Sequence, residues 1–341
     1  MSARRTPHRG AAADGRWPRV DDVPAPRFSR AAAGLLPLSV AAAMALTGCS
    51  SDESTGADPN RGCDPTSSAQ AADLRPIELP PAHVAVLEPG TGELRVPTSA
   101  PTTETPQRVT LDTKSSETSV IGNQGEEPTT TTEELSTPLT ARAGCTDPKN
   151  LEFTLGAITS PDEALNPALA TFDGADGGVT YADGLSPMSL RLFPPANADQ
   201  PAIRAIEQSL VSAFTYALPL PTEPIGVGAR WRTERTVTAA TTVTQEIVAT
   251  LTKWEGDVLT VDIAVDETPT STVFRIPGSA STLDLTRYAN SGTGTVTVDL
   301  TRLLPTSAQL AMKGARELVG ADPNRPIIQQ TSLTLRWNRT D

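Results

Sequence analysis

Alternation of apolar and polar residues is the feature of this sequence that most limits its fold. In "VLTVDIAVD", four aliphatic residues from Leu259 to Val265 occupy every second position. Successive side chains of a strand point to opposite faces of a sheet, so this period predicts half-buried strands. The same period recurs in "GTVTVDLTR" and "TSLTLRWN". The sequence therefore predicts a mostly β (α+β) fold with long antiparallel strands.

One segment has a helical period instead. In "DQPAIRAIEQSLVSAFTYAL", residues 199–218, apolar residues recur at spacings of three and four, which is typical of an amphipathic helix. Asp199 and Pro201 suit its start, and Pro219 suits its end. Two functions of the stripe remain open, namely packing on the sheet or lining a ligand cavity. The stripe residues are Ile203, Ile206, Leu210 and Phe214.

The strand patterns on the two sides of this helix resemble each other weakly. Each side offers a long strand pair, a strand led by glycine and a further strand. We therefore predict one domain over residues 81–341, with similar halves at about 81–195 and 225–341 joined by the helix. Gly256-Asp257 predicts a hairpin turn within the second half, although the reverse order is the commoner one.

Four other stretches indicate turns or polar strands. "LPTEPIGVGARW", residues 220–231, predicts a helix-to-strand corner, with a binding loop as the alternative. "SGTGTV" predicts a turn before a strand, because no helix follows it to hold a phosphate. "PTSAPTTETP" and "EEPTTTTEEL" are rich in β-branched threonine, which favours strands with polar outer faces over a disordered or glycosylated spacer.

An apolar run at residues 31–48 follows Arg27 and Arg30 and ends in "LTGCS". A charged and then apolar order is typical of a secretory signal, and the run is short for a permanent span. Leu46-Thr47-Gly48-Cys49 resembles the bacterial lipobox, in which the cysteine sulfur is acylated and the preceding peptide is removed. The resemblance implies a signal peptide at 1–48 and a lipid anchor at Cys49 on the outer face of the cell membrane.

Two alternatives accompany this interpretation. A signal peptide with an incidental cysteine would also fit, and Arg4-Arg5 leaves the twin-arginine export route open beside the general one. Residues 49–80 contain few apolar side chains and predict a flexible tether.

The remaining cysteines, Cys63 and Cys145, form an even pair in an exported chain. An oxidising compartment favours a disulfide between them, with two thiols as the alternative. A metal site is disfavoured, because no histidine or third cysteine lies near to complete a tetrahedral set.

Charge and motif content exclude several function classes. Residues 1–48 carry seven Arg and three Asp, so their removal takes the formal charge from −12 to −16. Such a surface suits neither nucleic acid nor anionic lipid headgroups, so membrane contact is assigned to the acyl anchor. His83 has no GxSxG companion, and no phosphate-binding loop is present. The pairs Glu126-Glu127 and Glu133-Glu134 lie in polar surroundings and are expected to be solvated. Since none of these features indicates a catalytic or cofactor site, we expect no cofactor and no catalysis.

These motifs together resemble a known type of protein. The lipobox, the tether, "VAVLEPG", "PLPTEPIGVGARW" and "GTGTVTVDLTRLLP" resemble an uncharacterised family of actinobacterial cell-envelope lipoproteins. More distantly, the architecture is similar to LolA-like and mycobacterial lipid-carrier lipoproteins, in which a curved sheet and helices enclose an apolar cavity. The resemblance implies a lipoprotein that binds or shields a lipid or other amphiphile.

Two other functions stay open at this point. One is a structural or protein-interaction lipoprotein with a filled core. The other is a carboxylate-dependent hydrolase, which would need two buried Asp or Glu side chains facing one cleft.

Overall fold

The computed structural model describes residues 63–68, 76–122 and 127–340 of the chain. Strands dominate this range, which confirms the mostly β prediction, and the main helix is α2 at Gln200–Thr215. A short helix, α1, spans Asn166–Leu169. The strands are β1 Cys63–Asp64, β2 Ile77–Glu78, β3 His83–Glu88, β4 Thr91–Arg95, β5 Gln107–Ile121, β6 Thr129–Gly144, β7 Asn150–Leu155, β8 Asp176–Ala182, β9 Ser186–Leu192, β10 Ile225–Val227, β11 Arg230–Thr238, β12 Thr242–Glu255, β13 Val258–Pro269, β14 Val273–Arg275, β15 Thr282–Asp299, β16 Ser307–Val319 and β17 Ile327–Arg339.

One large sheet contains strands from both predicted halves. Its order is β2-β9-β8-β7-β6-β5-β17-β16-β15-β13-β12-β11-β3, with β1 beside β6 and β14 beside β15. Read from β11 to β17 and then from β5 to β9, neighbours follow the chain order, as expected for strands linked by hairpins. The pairing of β17 with β5 joins the halves edge to edge, so they do not form two stacked sheets.

The inward face of the sheet is the one that the alternating pattern predicted. The four aliphatic residues from Leu259 to Val265 are at most 4% exposed. The residues between them face outward, because the side-chain period of a strand is two. The predicted hairpin is also present. Gly256 begins it with φ +57°, a conformation that glycine adopts without strain.

Helix α2 lies on the inward face, where it contacts β5, β6 and β9. Its apolar stripe and the inward residues of β5 to β9 form the first core cluster together with Phe172, and this cluster includes Leu111 and Leu151. The second cluster is formed by the inward residues of β11, β12, β13, β15, β16 and β17 around Trp231. Both clusters therefore lie on one side of a single sheet, with the helix covering mainly the first half.

The segment 220–231 is the helix-to-strand corner that the sequence predicted. Trp231 is fully buried, and its indole nitrogen donates a hydrogen bond to the Pro219 carbonyl at 3.0 Å. Within the corner, β10 pairs with β4 in a small separate sheet. A Cβ on Gly226 would lie 2.4 Å from the Thr91 carbonyl oxygen, so only glycine allows this close approach.

Two predicted boundaries are wrong. The helix was predicted at 199–218 but occupies Gln200–Thr215, because the chain leaves helical geometry at Tyr216 before it reaches the prolines. The tether was predicted over 49–80, yet β1 pairs with β6 and β2 pairs with β9. Their backbone groups complete the ladders of longer strands, a non-local pairing that composition does not reveal. Residues 49–62 and 69–75 lie outside the described residues.

Two polar stretches also differ from prediction. "PTSAPTTETP", residues 97–106, has no strand, because its three prolines cannot donate to a ladder. "SGTGTV" lies inside β15 and is not a turn. A Cβ on Gly292 would lie 2.2 Å from the Ala311 carbonyl oxygen, so glycine there allows the close approach of β16. The threonines of "EEPTTTTEEL" lie in β6, as predicted.

Candidate ligand site beside helix α2

The segment that precedes the main domain is fastened to the sheet. Cys63 and Cys145 form a disulfide, which is the pairing predicted from the sequence. Five residues after Cys63, the Ser68 amide donates to the Glu152 carboxylate at 3.0 Å. Cys49, the predicted acylation site, lies outside the described residues.

Glu152, on β7, also forms a buried ion pair with Arg191 on β9. The Arg191 guanidinium donates to Glu152 at 3.1 Å, and the Arg191 side chain is only 1% exposed. Thr180 and Ser68 accept its other hydrogen bonds. Burial lowers the pKa of Arg191, and the nearby Glu152 charge opposes that shift. Because both charges are satisfied within the protein, this cluster is structural.

The helix stripe divides between filled core and a small cavity. Ile206 and Leu210 are fully buried in the first core cluster, and Ile203 packs against it. Phe214 instead lines an apolar cavity of about 70 Å³ together with Trp337, and their ring centroids lie 5.9 Å apart. Of the four predicted ligand-cavity candidates, Phe214 alone lines this cavity.

A larger groove of about 520 Å³ lies beside the C-terminal half of α2. Its other walls are formed by β11, β12, β13, β15, β16 and β17. Part of the lining is apolar and includes Val211, Val237, Val243 and Leu333. The rest is a polar cluster centred on Glu267, which we call the Glu267 cluster.

The Glu267 cluster consists of one carboxylate and four neutral donors. Tyr216 Oη donates to Glu267 Oε1 at 2.7 Å, and Gln245 Nε2 donates to the same oxygen at 3.3 Å. Tyr288 Oη and Asn290 Nδ2 donate to Oε2 at 2.8 and 2.7 Å. A carboxylate offers about four acceptor positions, so these bonds use its full capacity.

The phenol groups of this cluster are held in their protonated form. Burial raises the pKa of Tyr216, and the adjacent Glu267 carboxylate raises it further. The pKa of Tyr288 is raised by the same two causes in the same order. Both hydroxyls therefore remain donors toward Glu267 at neutral pH.

Two buried polar atoms near the groove have no partner within the described structure. Gln245 is 1% exposed and lines the groove, yet its Oε1 accepts no hydrogen bond. Its strand neighbour Arg235 is also buried, and its Nε is likewise unpartnered. The Arg235 Nη atoms donate to the carbonyls of Thr215 and Ala217 at 2.7 and 2.9 Å, near the negative end of the α2 dipole. Burial lowers the pKa of Arg235 to about 10.

Comparison with known proteins adds no family to this description. No known protein-family model matches the chain, and no curated protein matches it. A solved structure from work titled "Cell entry of botulinum neurotoxin type C is dependent upon interaction with two ganglioside molecules" is 8% identical, with 76% of this chain and 89% of that chain covered. Its TM-score is 0.12, so the likeness carries no argument.

The other residues considered from the sequence lie away from the groove. His83 begins β3 and is exposed. Burial raises the pKa of Glu133, which corrects the expectation of a fully solvated carboxylate, whereas Glu127 is exposed and Glu126 lies outside the described residues. The buried carboxylates Glu152 and Glu267 belong to different hydrogen-bond clusters, so these two do not face one cleft.

Two further findings concern metal ligands and membrane-spanning helices. No group of three or more His, Cys, Asp or Glu side chains in this part of the chain is placed to hold a metal ion. Among the described helices, none combines the length and apolar character needed to cross a membrane.

Sequence reasoning missed Gln245 and Glu267, although the sequence contained a signal for both. Glu267 continues the inward positions of β13 by two residues beyond Val265. Gln245 occupies an inward position of β12 between Val243 and Ile247. A polar residue at a position where the pattern predicts an apolar one indicates a buried polar site.

Proposed function

We propose that this protein is a lipid-anchored cell-envelope protein that binds or shields an amphiphile and has no catalytic role. The groove beside α2 supports this proposal, because it combines apolar walls with the Glu267 cluster. Its volume of about 520 Å³ falls in the range of small-molecule sites. The chain of an amphiphile would contact the apolar walls, and its headgroup would contact the Glu267 cluster.

The anchor at Cys49 is part of the same proposal. Two acyl chains on the cysteine would supply on the order of 20 kcal/mol of membrane affinity, at about 0.8 kcal/mol per buried CH₂. The disulfide between Cys63 and Cys145 attaches the chain to the folded body a short distance after Cys49. At 3.3–3.6 Å per residue, the segment from Cys49 to Cys63 can reach at most about 50 Å. The body would then work close to the membrane that supplies its ligand.

A test of the anchor uses Cys49→Ala, which removes the sulfur that thioether formation requires. Metabolic labelling with a fatty-acid analogue should label the wild type and leave the variant unlabelled. The Cys63→Ala, Cys145→Ala double variant is the matched control and should still be labelled. Equal labelling of wild type and Cys49→Ala would rule out acylation at this residue.

A test of binding uses the mature protein purified from its native envelope. Native mass spectrometry and solvent extraction should find one amphiphile bound in the groove. Val211→Trp should displace it, because Val211 lines the groove, whereas Arg204→Trp adds the same ring at an exposed position of α2 and should retain it. Wild-type protein without any bound amphiphile, and without affinity for one, would refute the proposal.

The second candidate is a structural or protein-interaction lipoprotein with a filled core. It is favoured by the full burial of Ile206 and Leu210 and by the small volume of the cavity at Phe214, about 70 Å³. The same extraction decides between the two candidates. A filled-core protein would yield no ligand on extraction, and Val211→Trp would have no bound ligand to displace.

A further inference from the structure

The Glu267 carboxylate is buried without a cation. Glu267 is 9% exposed, and its four hydrogen-bond donors are two phenols and two amides. No salt bridge to Glu267 occurs among the residues that the structure describes. Hydrogen bonds from neutral groups solvate the carboxylate but do not cancel its charge. The cluster therefore keeps a buried negative charge at the wall of the groove.

Two arginines near the cluster, Arg235 and Arg316, have hydrogen-bond partners of their own. Arg316 lines the groove, but its guanidinium donates to Glu117 and Gln329 and lies 4.6 Å over the Phe274 ring. Arg235 directs its Nη atoms to the carbonyls at the end of α2. Neither side chain can move to Glu267 without leaving its own partners unsatisfied.

The groove also offers acceptor positions that the protein does not fill. The amide of Gln245 must direct Nε2 to Glu267, because a flipped amide would place its oxygen against the carboxylate. Its Oε1 is therefore fixed as a buried acceptor without a partner. Tyr216 and Tyr288 donate their hydroxyl protons to Glu267, and Asn290 also hydrogen-bonds both phenol groups. A phenol oxygen has two lone pairs, so one on each oxygen remains able to accept. Donation to a carboxylate makes such oxygens stronger acceptors.

We infer that the groove binds an amphiphile whose headgroup is a protonated amine, an inference that rests on the proposed binding function. The ammonium group has three donors and no acceptor, which matches acceptors arranged around a negative charge. Gln245 Oε1 and the two phenol oxygens receive its hydrogen bonds, and Glu267 supplies the opposing charge. The alkyl chain lies along Val211, Val237, Val243 and Leu333. An anionic headgroup would meet the like charge of Glu267, and Arg316, the cation on the groove wall, is already paired with Glu117.

The test compares four soluble probes by isothermal titration calorimetry with delipidated mature protein. Octylamine, octanoate and octyl glucoside share the chain and differ in headgroup, and butylamine carries the same headgroup on a shorter chain. We expect octylamine to bind one site, at least about tenfold more tightly than octanoate or butylamine, because octanoate lacks the ammonium donors and butylamine buries less apolar chain. If butylamine and octylamine bound equally tightly, the inference of an amphiphilic ligand would be wrong and the site would bind a small amine.

Variants of adjacent residues assign the effect to the cluster. Glu267→Gln should weaken octylamine on the order of ten- to a hundredfold and weaken octyl glucoside much less, because the glucoside carries no charge. Asp266→Asn makes the same charge change at the next residue, whose side chain is exposed on the outer face, and should bind as the wild type does. Loss of octylamine affinity in both variants alike would overturn the assignment to Glu267.

A second variant covers the case in which Glu267→Gln does not fold. Gln245→Leu removes the unpartnered acceptor and keeps the charge, and it should weaken octylamine severalfold while octyl glucoside is retained. Octyl glucoside binding without any preference for octylamine would refute the amine headgroup and leave the proposed function standing. Absence of binding for all three eight-carbon probes would refute the proposed function itself.

Discussion

Glu152 and Glu267 are equally buried, at 9% exposed, but their surroundings differ. Glu152 lies on β7 in the half that α2 covers, and Arg191 neutralises it. Glu267 lies on β13 beside the groove, where its partners are uncharged. Burial of a charge is costly unless a partner compensates it. Glu152 thus has its counter-ion within the protein, whereas Glu267 has none among the described residues, because Arg235 and Arg316 bond elsewhere.

The helix divides in the same way. Leu210 is fully buried in the first core cluster, whereas its neighbour Val211 is only partly buried, packs against that cluster and also lines the groove. One side of α2 is thus filled core, and the other borders the groove. An apolar stripe thus identifies the packed side of a helix, whereas polar residues at inward positions of the strands indicate a buried polar site.

The largest expected effect tests the internal ion pair. Glu152→Gln leaves the Arg191 charge buried without a counter-ion, so the free energy of unfolding should fall by about 3–5 kcal/mol. Urea denaturation at neutral pH measures it. Glu246→Gln, on the outer face of β12, is the control and should change stability by less than about 1 kcal/mol.

Glu267→Gln completes this comparison, because no buried cation is left behind. It should cost clearly less than Glu152→Gln. If the two substitutions lowered the free energy of unfolding equally, the contrast between a carboxylate paired with a cation and one without a cation would be wrong.

The next effect tests the two sides of α2. Leu210→Ala removes fully buried packing and should lower the free energy of unfolding by about 2–5 kcal/mol. Val211→Ala, one residue along and at the groove, should cost less than about 1 kcal/mol, because solvent or ligand can occupy the space. Thermal and urea unfolding of both variants give the values. A small loss in Leu210→Ala would mean that this side of the helix is not filled core.

The smallest effect concerns pH and the three tyrosines of the chain, Tyr181, Tyr216 and Tyr288. Burial raises the pKa of each of them above the ordinary value. Below about pH 10 both the folded and the unfolded chain keep these protons; above it only the unfolded chain loses them, so stability falls as pH rises. For Tyr181, which is 5% exposed, the loss approaches about 1.4 kcal/mol per pH unit.

Spectrophotometric titration checks this behaviour. The phenolate band should be nearly absent from the folded protein at about pH 10 and should appear together with unfolding. Tyr181→Phe should reduce the stability loss above that pH, and Tyr288→Phe should reduce it less, because Tyr288 is less buried. A reversible band near pH 10 in the folded protein would contradict the burial of these groups.

Much of the local structure could be predicted from the sequence. The period-two pattern of β13, the hairpin at Gly256, the corner at Trp231 and the pairing of Cys63 with Cys145 all follow from nearby residues, composition or compartment. The β strands near Cys63 and Ile77 could not be predicted, because two-residue strands carry no period and exist only through the partners that they join. The glycines of β15 were misassigned to a turn for a similar reason, since the close approach of β16 is not local information.

The sequence by itself determined which residues face inward, since an alternating pattern fixes the face of each strand without reference to its neighbours. Only the tertiary structure decided which inward residues meet. Tyr216 on the helix side and Glu267 on β13 are separated by 51 residues, and Gln245 and Asn290 come from two further strands. Their convergence depends on strand register and on the position of α2, which are properties of the whole sheet. The burial of Glu267, and the lack of a salt bridge to it among the described residues, are therefore seen only in the folded structure.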